Sequence, residues 1–365
     1  MLLKDLFEFL PKSKRSASYG KEIGRYPFFT SSNTIDKFID ENDYEGTYLI
    51  IGDGGTGNCK YYDGKFSISD HNYLLSPKKN TNALCVLYFL KRNNFKILND
   101  GFKGVGIKNV SKTYIQNIDY NFNRAFTENE IINNLSDIEN AINLEEKNLN
   151  LLDELIKSRF VEVFGDVLEN NKNFETCSFG DFVNQMNIGP FGSDLKNDCF
   201  VPKEKGYCMV YEQKHAIDKD MTVEARYVDE AKFNHLKRFE IGPGDIIVSC
   251  RGTIGECFIL PDNAPKGIIH PSLMMIKPKD SVNHKFLVFL LERILAEQNE
   301  QGSGVKMAIK ATELAKIKTI KPSKELQDRF IDFVSQVDKS KFVVQQQIKD
   351  LQELLDKKMD EYFSE

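Results

Sequence analysis

The chain has 365 residues, too many for one ordinary domain, and its 41% hydrophobic content supports buried cores and excludes disorder. Its net charge of −5 argues mildly against a nucleic-acid binder until the distribution along the chain is considered. Seven cysteines, an odd number without a CxxC pair, argue against a disulfide framework or a zinc knuckle; they predict small buried thiols in a reducing cytoplasm.

The N-terminal MLLKDLFEFLPKSK mixes acidic with apolar residues and has no small-residue cleavage site, so no signal peptide is predicted. Block A, residues 1–125, holds 18 Lys/Arg against 13 Asp/Glu, net +5. Its TYLIIG and KFSISDHNYLL runs read as β structure, and ALCVLYFLKR reads as a helix. The run LCVLYFL at 84–90 is the longest apolar stretch and is too short to span a bilayer, so no membrane partner is expected. GDGGTG at 52–57 fits a dinucleotide-binding pattern, but a phosphate site needs a helix next. The next residues are instead NCKYYDGKFSIS, with a second expected turn at Asp63-Gly64 and a strand-like character, so the glycines are read as a turn between strands.

Residues 126–168 come next as a predicted helix. Ile131, Leu135, Ile138, Ile142, Glu145, Leu149, Leu152, Ile156, Arg159 and Val163 alternate steps of three and four, which marks a coiled-coil seam. The surrounding segment 126–170 is acidic, net −8. Block B, 169–322, has the β-like runs DIIVSC, CFILP and SLMMIKP, and the segment 171–322 carries net charge +1. The last segment, 323–365, is net −3 and repeats the seam 199 residues later: Phe330, Val334, Val337, Lys341, Val344, Ile348, Leu351, Leu355, Lys358 and Tyr362. Each helix needs a partner for its narrow apolar stripe, and the other helix, antiparallel, is the simplest. The interface residues expected are thus Leu135, Ile138, Ile142, Leu149, Leu152 and Ile156 with Val334, Val337, Val344, Ile348, Leu351 and Leu355. The alternative is two helical arms, each packing on its own block.

The repeat extends through the blocks. LLKDLFEFL parallels SFGDFVNQM, SDHNYLLSPK parallels IIHPSLMMIKPK, and GVGIKNVSKTYIQNI parallels GVKMAIKATELAKIKTI. The fold class is therefore α+β: two similar domains in tandem, each followed by a long helix. Positive charge gathers in the two large blocks, where phosphate would be attracted.

Catalytic chemistry is not evident. The chain lacks HExxH, GxSxG, a P-loop, an N/D-P-P-Y/F methyltransferase pattern and helicase patterns. Several loops look suited to polar recognition, since Arg reads guanine and Asn reads adenine. In block A these supply Ser31, Ser32, Asn33, Asp53 and Lys60, with Lys65, His71 and Lys108 nearby in sequence. In block B they supply Ser193 and Lys196 after the first expected helix, Arg251 and Thr253 in SCRGTIG, then His270, Lys306 and Lys310. His71 and His270 are paired by the repeat, whereas His215, His235 and His284 read as ordinary surface or core histidines.

GPFGSDLK, GDIIVSCRGTIGECFILP with IIHPSLMMIKP, and QGSGVKMAIKATELAKIKTIKPS before a long helix resemble the specificity subunits of type I restriction–modification enzymes. In block A, GRYPFFTSSN, LIIGDGG and YYDGKFSISDHNYLL resemble another recognition-domain subtype of that family. The resemblance covers essentially the whole chain. It implies two target-recognition domains (1–125 and 169–322) and two spacer helices (126–168 and 323–365). Each domain would read one half of a bipartite asymmetric site in double-stranded DNA. The helices would set the gap and dock two methyltransferase subunits carrying S-adenosylmethionine; restriction subunits would join for ATP/Mg-driven cleavage. The chain itself would bind no cofactor or metal and would not be an enzyme. The competing readings are a recognition subunit of a nuclease-free methylation or phage-defence system, a nucleotide-binding enzyme using GDGGTG, and a coiled-coil adaptor without a DNA role.

Overall fold

The computed structural model describes residues 1–106, 108–301 and 310–363. The chain divides into two compact units, Met1–Asn150 with Phe342–Glu365, and Leu151–Lys341. The division falls inside the two long helices, because each helix buries part of its apolar stripe in one unit and part in the other.

The first unit opens with α1 (Leu3–Leu6), β1 (Phe7–Phe9), β2 (Tyr26–Phe29) and β3 (Phe38–Ile39). Then come β4 (Tyr44–Gly52), β5 (Cys59–Ile68), β6 (Asn72–Pro77), α2 (Ala83–Asn99), β7 (Phe102–Lys103), β8 (Asn109–Val110) and α3 (Lys112–Gln116). One sheet has the order β1-β6-β4-β5-β2-β3. KFSISDHNYLL, expected as one β run, is two strands, because Asp70 and His71 form the turn between β5 and β6. The expected Asp63-Gly64 turn does not form. Gly64 (φ +145°) lies inside β5 opposite Gly46 (φ +119°), and this facing pair lets the ladder continue through a conformation that a side chain would oppose. Helix α2 breaks at Arg92–Phe95, where three residues turn left-handed, at the point where the expected ALCVLYFLKR helix ends.

Helix α4 (Glu128–Phe164) starts at a capping box. Glu130 accepts from the Thr127 backbone N–H at 2.8 Å, and Thr127 Oγ1 accepts from the Glu130 N–H at 3.2 Å. In the first unit its early turns pack with the last turns of the chain's final helix: Phe126 meets Tyr362 edge to face at 4.9 Å, and Asn134 donates to the Tyr362 hydroxyl at 2.8 Å.

The second unit continues with β9 (Thr176–Ser178), β10 (Val183–Ile188), β11 (Cys208–Tyr211), α5 (Gln213–Asp218), β12 (Arg226–Val228), α6 (Glu230–His235), β13 (Glu240–Ile241) and β14 (Ile246–Ser249). It ends with β15 (Cys257–Ile259), β16 (Gly267–Ile269), β17 (Leu273–Pro278), α7 (His284–Gln301), α8 (Ala311–Leu314), β18 (Lys318–Ile320) and α9 (Lys324–Phe363). A helix is expected in block B ahead of Ser193; SFGDF in that stretch is a single 3-10 turn running straight into β10. The second unit's two four-stranded sheets have the orders β10-β17-β14-β15 and β12-β11-β16-β13, and β18 pairs with β9. The first order repeats β1-β6-β4-β5 of the other unit, element for element. The detail repeats too: Asp5 accepts from the Leu2 N–H at 3.2 Å, and Asp181 accepts from the Ser178 N–H at 2.9 Å. Lys78 and Lys279 each donate to a backbone carbonyl of the matched opening turn, at 2.8 Å.

Phe160, Phe164, Phe286, Phe289 and Phe330 form one aromatic cluster in the second unit, joining α4, α7 and α9. Here the two long helices run antiparallel, since Asp153 pairs with Lys341 at 2.6 Å while Phe160 meets Phe330 at 5.5 Å. None of the twenty seam positions read from sequence is exposed. Among the described residues no helix is long and apolar enough to cross a membrane.

Candidate nucleic-acid interface

In each unit most of the candidate residues lie toward one end of the repeated four-stranded set. In the first unit the β4–β5 turn, 53–58, carries the glycines of GDGGTG. A strand comes after it, as the sequence implies, so the helix that a dinucleotide site needs does not follow the glycines. Asp53 is buried, and its carboxylate accepts from Lys12 Nζ and lies 3.2 Å from His71 Nδ1. It is thus a brace between the Lys12 and His71 side chains; an anion there would repel phosphate if it were free. Lys12 also sits 4.6 Å above the Tyr73 ring.

The loop after β2 joins the same place. Buried Asn58 donates to the Ser31 carbonyl at 3.0 Å and to the Thr56 carbonyl at 3.1 Å. Lys60 donates to the Ser32 carbonyl and to Asn58 Oδ1, and burial pulls its pKa below the ordinary lysine value. The Gly55 N–H donates to the Lys108 carbonyl at 3.0 Å, bringing the β7–β8 segment to the turn. Ser31, Ser32, Asp53, Lys60, His71 and Lys108 are therefore brought together, with exposed Asn33 on the same loop. Lys65 is not: it pairs with Glu45 at 3.7 Å, about 20 Å along the ladder from the turn.

In the second unit the corresponding β14–β15 turn is 250–256, and Arg251 is exposed on it. Ser249 pairs with Leu273, the Gly189 N–H donates to the Leu273 carbonyl at 2.8 Å, and the Cys250 N–H donates to the Ser272 carbonyl at 2.9 Å. The Arg251 turn, His270 and the start of the GPFGSDLK loop thus share one sheet end. A Cβ on Gly189 would lie 2.2 Å from the His270 carbonyl oxygen, so only glycine fits that close approach. His270 Nδ1 lies 2.8 Å from Ser272 Oγ, and burial holds the imidazole pKa below its ordinary value. Ser193 and Lys196 are exposed farther along that loop. Lys310 pairs with Glu313 at 2.9 Å beside α8, whose far end binds the Gly180 N–H; among the described residues no hydrogen bond or ion pair joins Lys310 to the Arg251 turn. Lys306 lies outside the described residues.

Composition and motif reasoning missed four groups that the fold brings to these ends: Lys12, Asn58, Gln213 and Arg226. Arg226 stacks over Phe200 at 3.8 Å, donates to Asn197 Oδ1 at 3.3 Å and pairs with Glu212. These residues come from separate stretches of chain and form no short motif. Among the described residues no cluster of His, Cys, Asp and Glu is arranged to hold a metal ion.

The family described as Type I restriction modification DNA specificity domain matches residues 1–154 and again 200–353. The chain belongs to this family. Its two matched stretches fall largely one in each unit, in keeping with the repeat. The Escherichia coli type I restriction enzyme EcoDI specificity subunit is 27% identical over 109 residues, 30% of this chain and 24% of that protein. The alignment thus spans about a quarter of that relative. Two solved structures share the fold along the chain. The S subunit of a type I restriction-modification system from M. genitalium has TM-score 0.54 at 14% identity, covering 100% of this chain and 96% of that one. A structure described as the basis of complex assembly and conformational transition of the type I R-M system has TM-score 0.57 at 13% identity, covering 99% and 96%.

Proposed function

We propose that this chain is the DNA-sequence specificity subunit of a type I restriction–modification complex. The first unit reads one half of a bipartite, asymmetric site and the second unit reads the other. The observation that carries this is the doubling: one strand order occurs twice, and each copy presents its hairpin turn and a polar loop at the same sheet end. A split DNA site calls for two similar readers in one chain. Helices α4 and α9 set the unread gap, pack as an antiparallel coiled coil, and dock two methyltransferase subunits. Those subunits supply S-adenosylmethionine and flip the target adenine out of the duplex, because methyl transfer needs access to an atom inside the stack. Restriction subunits with ATP and Mg²⁺ complete the assembly, and the setting is cytoplasmic. The nearly neutral second block and the acidic helices make binding by the isolated chain weak and salt-sensitive.

Methylome sequencing of cells that express the neighbouring methyltransferase, with and without this gene, tests the reading. A split motif with a fixed gap, present only with the gene, is the expected result. No gene-dependent methylation, with the partner expressed and folded, would reject it.

A further inference from the structure

The Arg251 turn is glycine-rich. Gly252 (φ +64°) and Gly255 (φ +93°) both take left-handed backbone, which gives the free turn many alternative shapes. A reader of base edges needs one shape, because a displacement of about an ångström removes a bidentate contact. The turn is held from two sides. From its own strand, buried Ser249 donates its hydroxyl to the Thr253 carbonyl at 2.6 Å and accepts from the Glu256 N–H at 2.9 Å. From the other sheet's connection, Gln213 at the start of α5 donates Nε2 to the Arg251 carbonyl and, at 3.3 Å, to the Thr253 carbonyl. A carboxamide nitrogen has two hydrogens, one for each carbonyl. The reversed amide would set oxygen against oxygen, so the orientation is determined. Arg251 makes no ion pair among the described residues, and its exposed side chain is left outward while its backbone is clamped.

We infer that Gln213 is a positioning residue for DNA reading: its side-chain amide locks the Arg251 turn into the one conformation that discriminates bases. The inference rests on the specificity-subunit reading. The other unit uses the same device at the equivalent turn, where Asn58 bridges the Ser31 and Thr56 carbonyls. There the amide ties the β4–β5 turn to the loop after β2; here it ties the β14–β15 turn to the loop after β11. Two different amides from different places in the chain doing one job at matched turns point to the job, not to inherited sequence.

The test uses the whole methyltransferase complex and four versions of this chain: wild type, Gln213→Met, Arg251→Ala and the double variant. Methionine keeps the length of glutamine and removes the donor. Methylome sequencing with the wild-type chain comes first; a gene-dependent split motif establishes the specificity reading, and its absence rejects that reading and this inference together. Given the motif, Gln213→Met is expected to relax base discrimination about tenfold at one or two positions in one half-site. Those positions should be the ones Arg251→Ala relaxes, the double variant should relax them no further, and the other half-site should stay intact. A Gln213→Met motif identical to wild type overturns the inference. So does a uniform loss at every position with a lowered Tm, which marks a merely structural residue. Asn58→Asp provides the reciprocal check: relaxation confined to the opposite half-site supports the clamp, and relaxation in the Arg251 half contradicts it.

Discussion

Replacing Phe160 by Ala removes the ring that joins three helices of the second unit. Phe160 is 1% exposed, with ring centroids at 4.9 Å (Phe164), 5.5 Å (Phe330), 6.2 Å (Phe286) and 6.4 Å (Phe289). Truncating a buried Phe costs about 3–5 kcal/mol, combining lost transfer energy with the cavity left behind. The upper end is expected here, because the cavity walls are other large rings on rigid helices and collapse poorly. Urea unfolding followed by circular dichroism reads the effect. At an m-value of about 3 kcal/mol per M, the transition of this unit should move down by at least about 1 M. Leu155→Ala, on an exposed position of the same helix, should stay within about 0.5 kcal/mol and serves as the control. A Phe160→Ala cost below about 1 kcal/mol would refute the argument that this cluster holds α4, α7 and α9 together.

Arg251→Ala should relax one half-site by about 1–3 kcal/mol of discrimination, and an unchanged methylation motif in that variant would remove Arg251 from the reading surface. The Arg15 guanidinium, hydrogen-bonded at 2.8 Å, holds the Asp43 pKa below the usual carboxylate range. A depressed carboxylate pKa adds stability above the unfolded-state value, and that stability is lost as pH falls through the folded value. Asp43→Asn should therefore cost about 1 kcal/mol at neutral pH and nothing once the wild-type carboxyl is protonated; equal costs in urea titrations at both pH values would contradict this pairing. Burial pushes the Cys59 and Cys85 thiols up to about 12, whereas Cys199 is only half-buried, so Cys199 should be alkylated well before either in the native protein. Mass spectrometry of a timed alkylation checks the order.

The family, the doubling and the helical seam were legible because each depends on local periodicity or on phrases repeated at fixed spacing. Asp5 and Asp181 match by position alone, and a step of three and four marks a buried stripe wherever the helix lies. The pairing of Leu74 with Leu273 and of His71 with His270 is two places out of register, because Pro77 and Pro278 hold the same ladder place and so align Leu74 with Met275 and His71 with Ser272. The strand nature of NCKYYDGKFSIS was equally a matter of local residues. The same logic misread Asp63-Gly64 as a turn, because a glycine with positive φ inside a ladder looks identical in sequence to one in a turn.

Neighbouring residues alone dictate most of the elements, their order and their repetition, since propensity and periodicity act over a few positions. The grouping of polar side chains came from the folded chain instead. Asp53 turned from a candidate contact into a brace because Lys12 folds back to it from 41 positions away. Gln213 reached the Arg251 turn across 38 positions. Lys65 left the group because the ladder carries it to the far end of its strand. Such partnerships are made by strand order and register, which bring distant residues within hydrogen-bonding reach, and no local pattern records them.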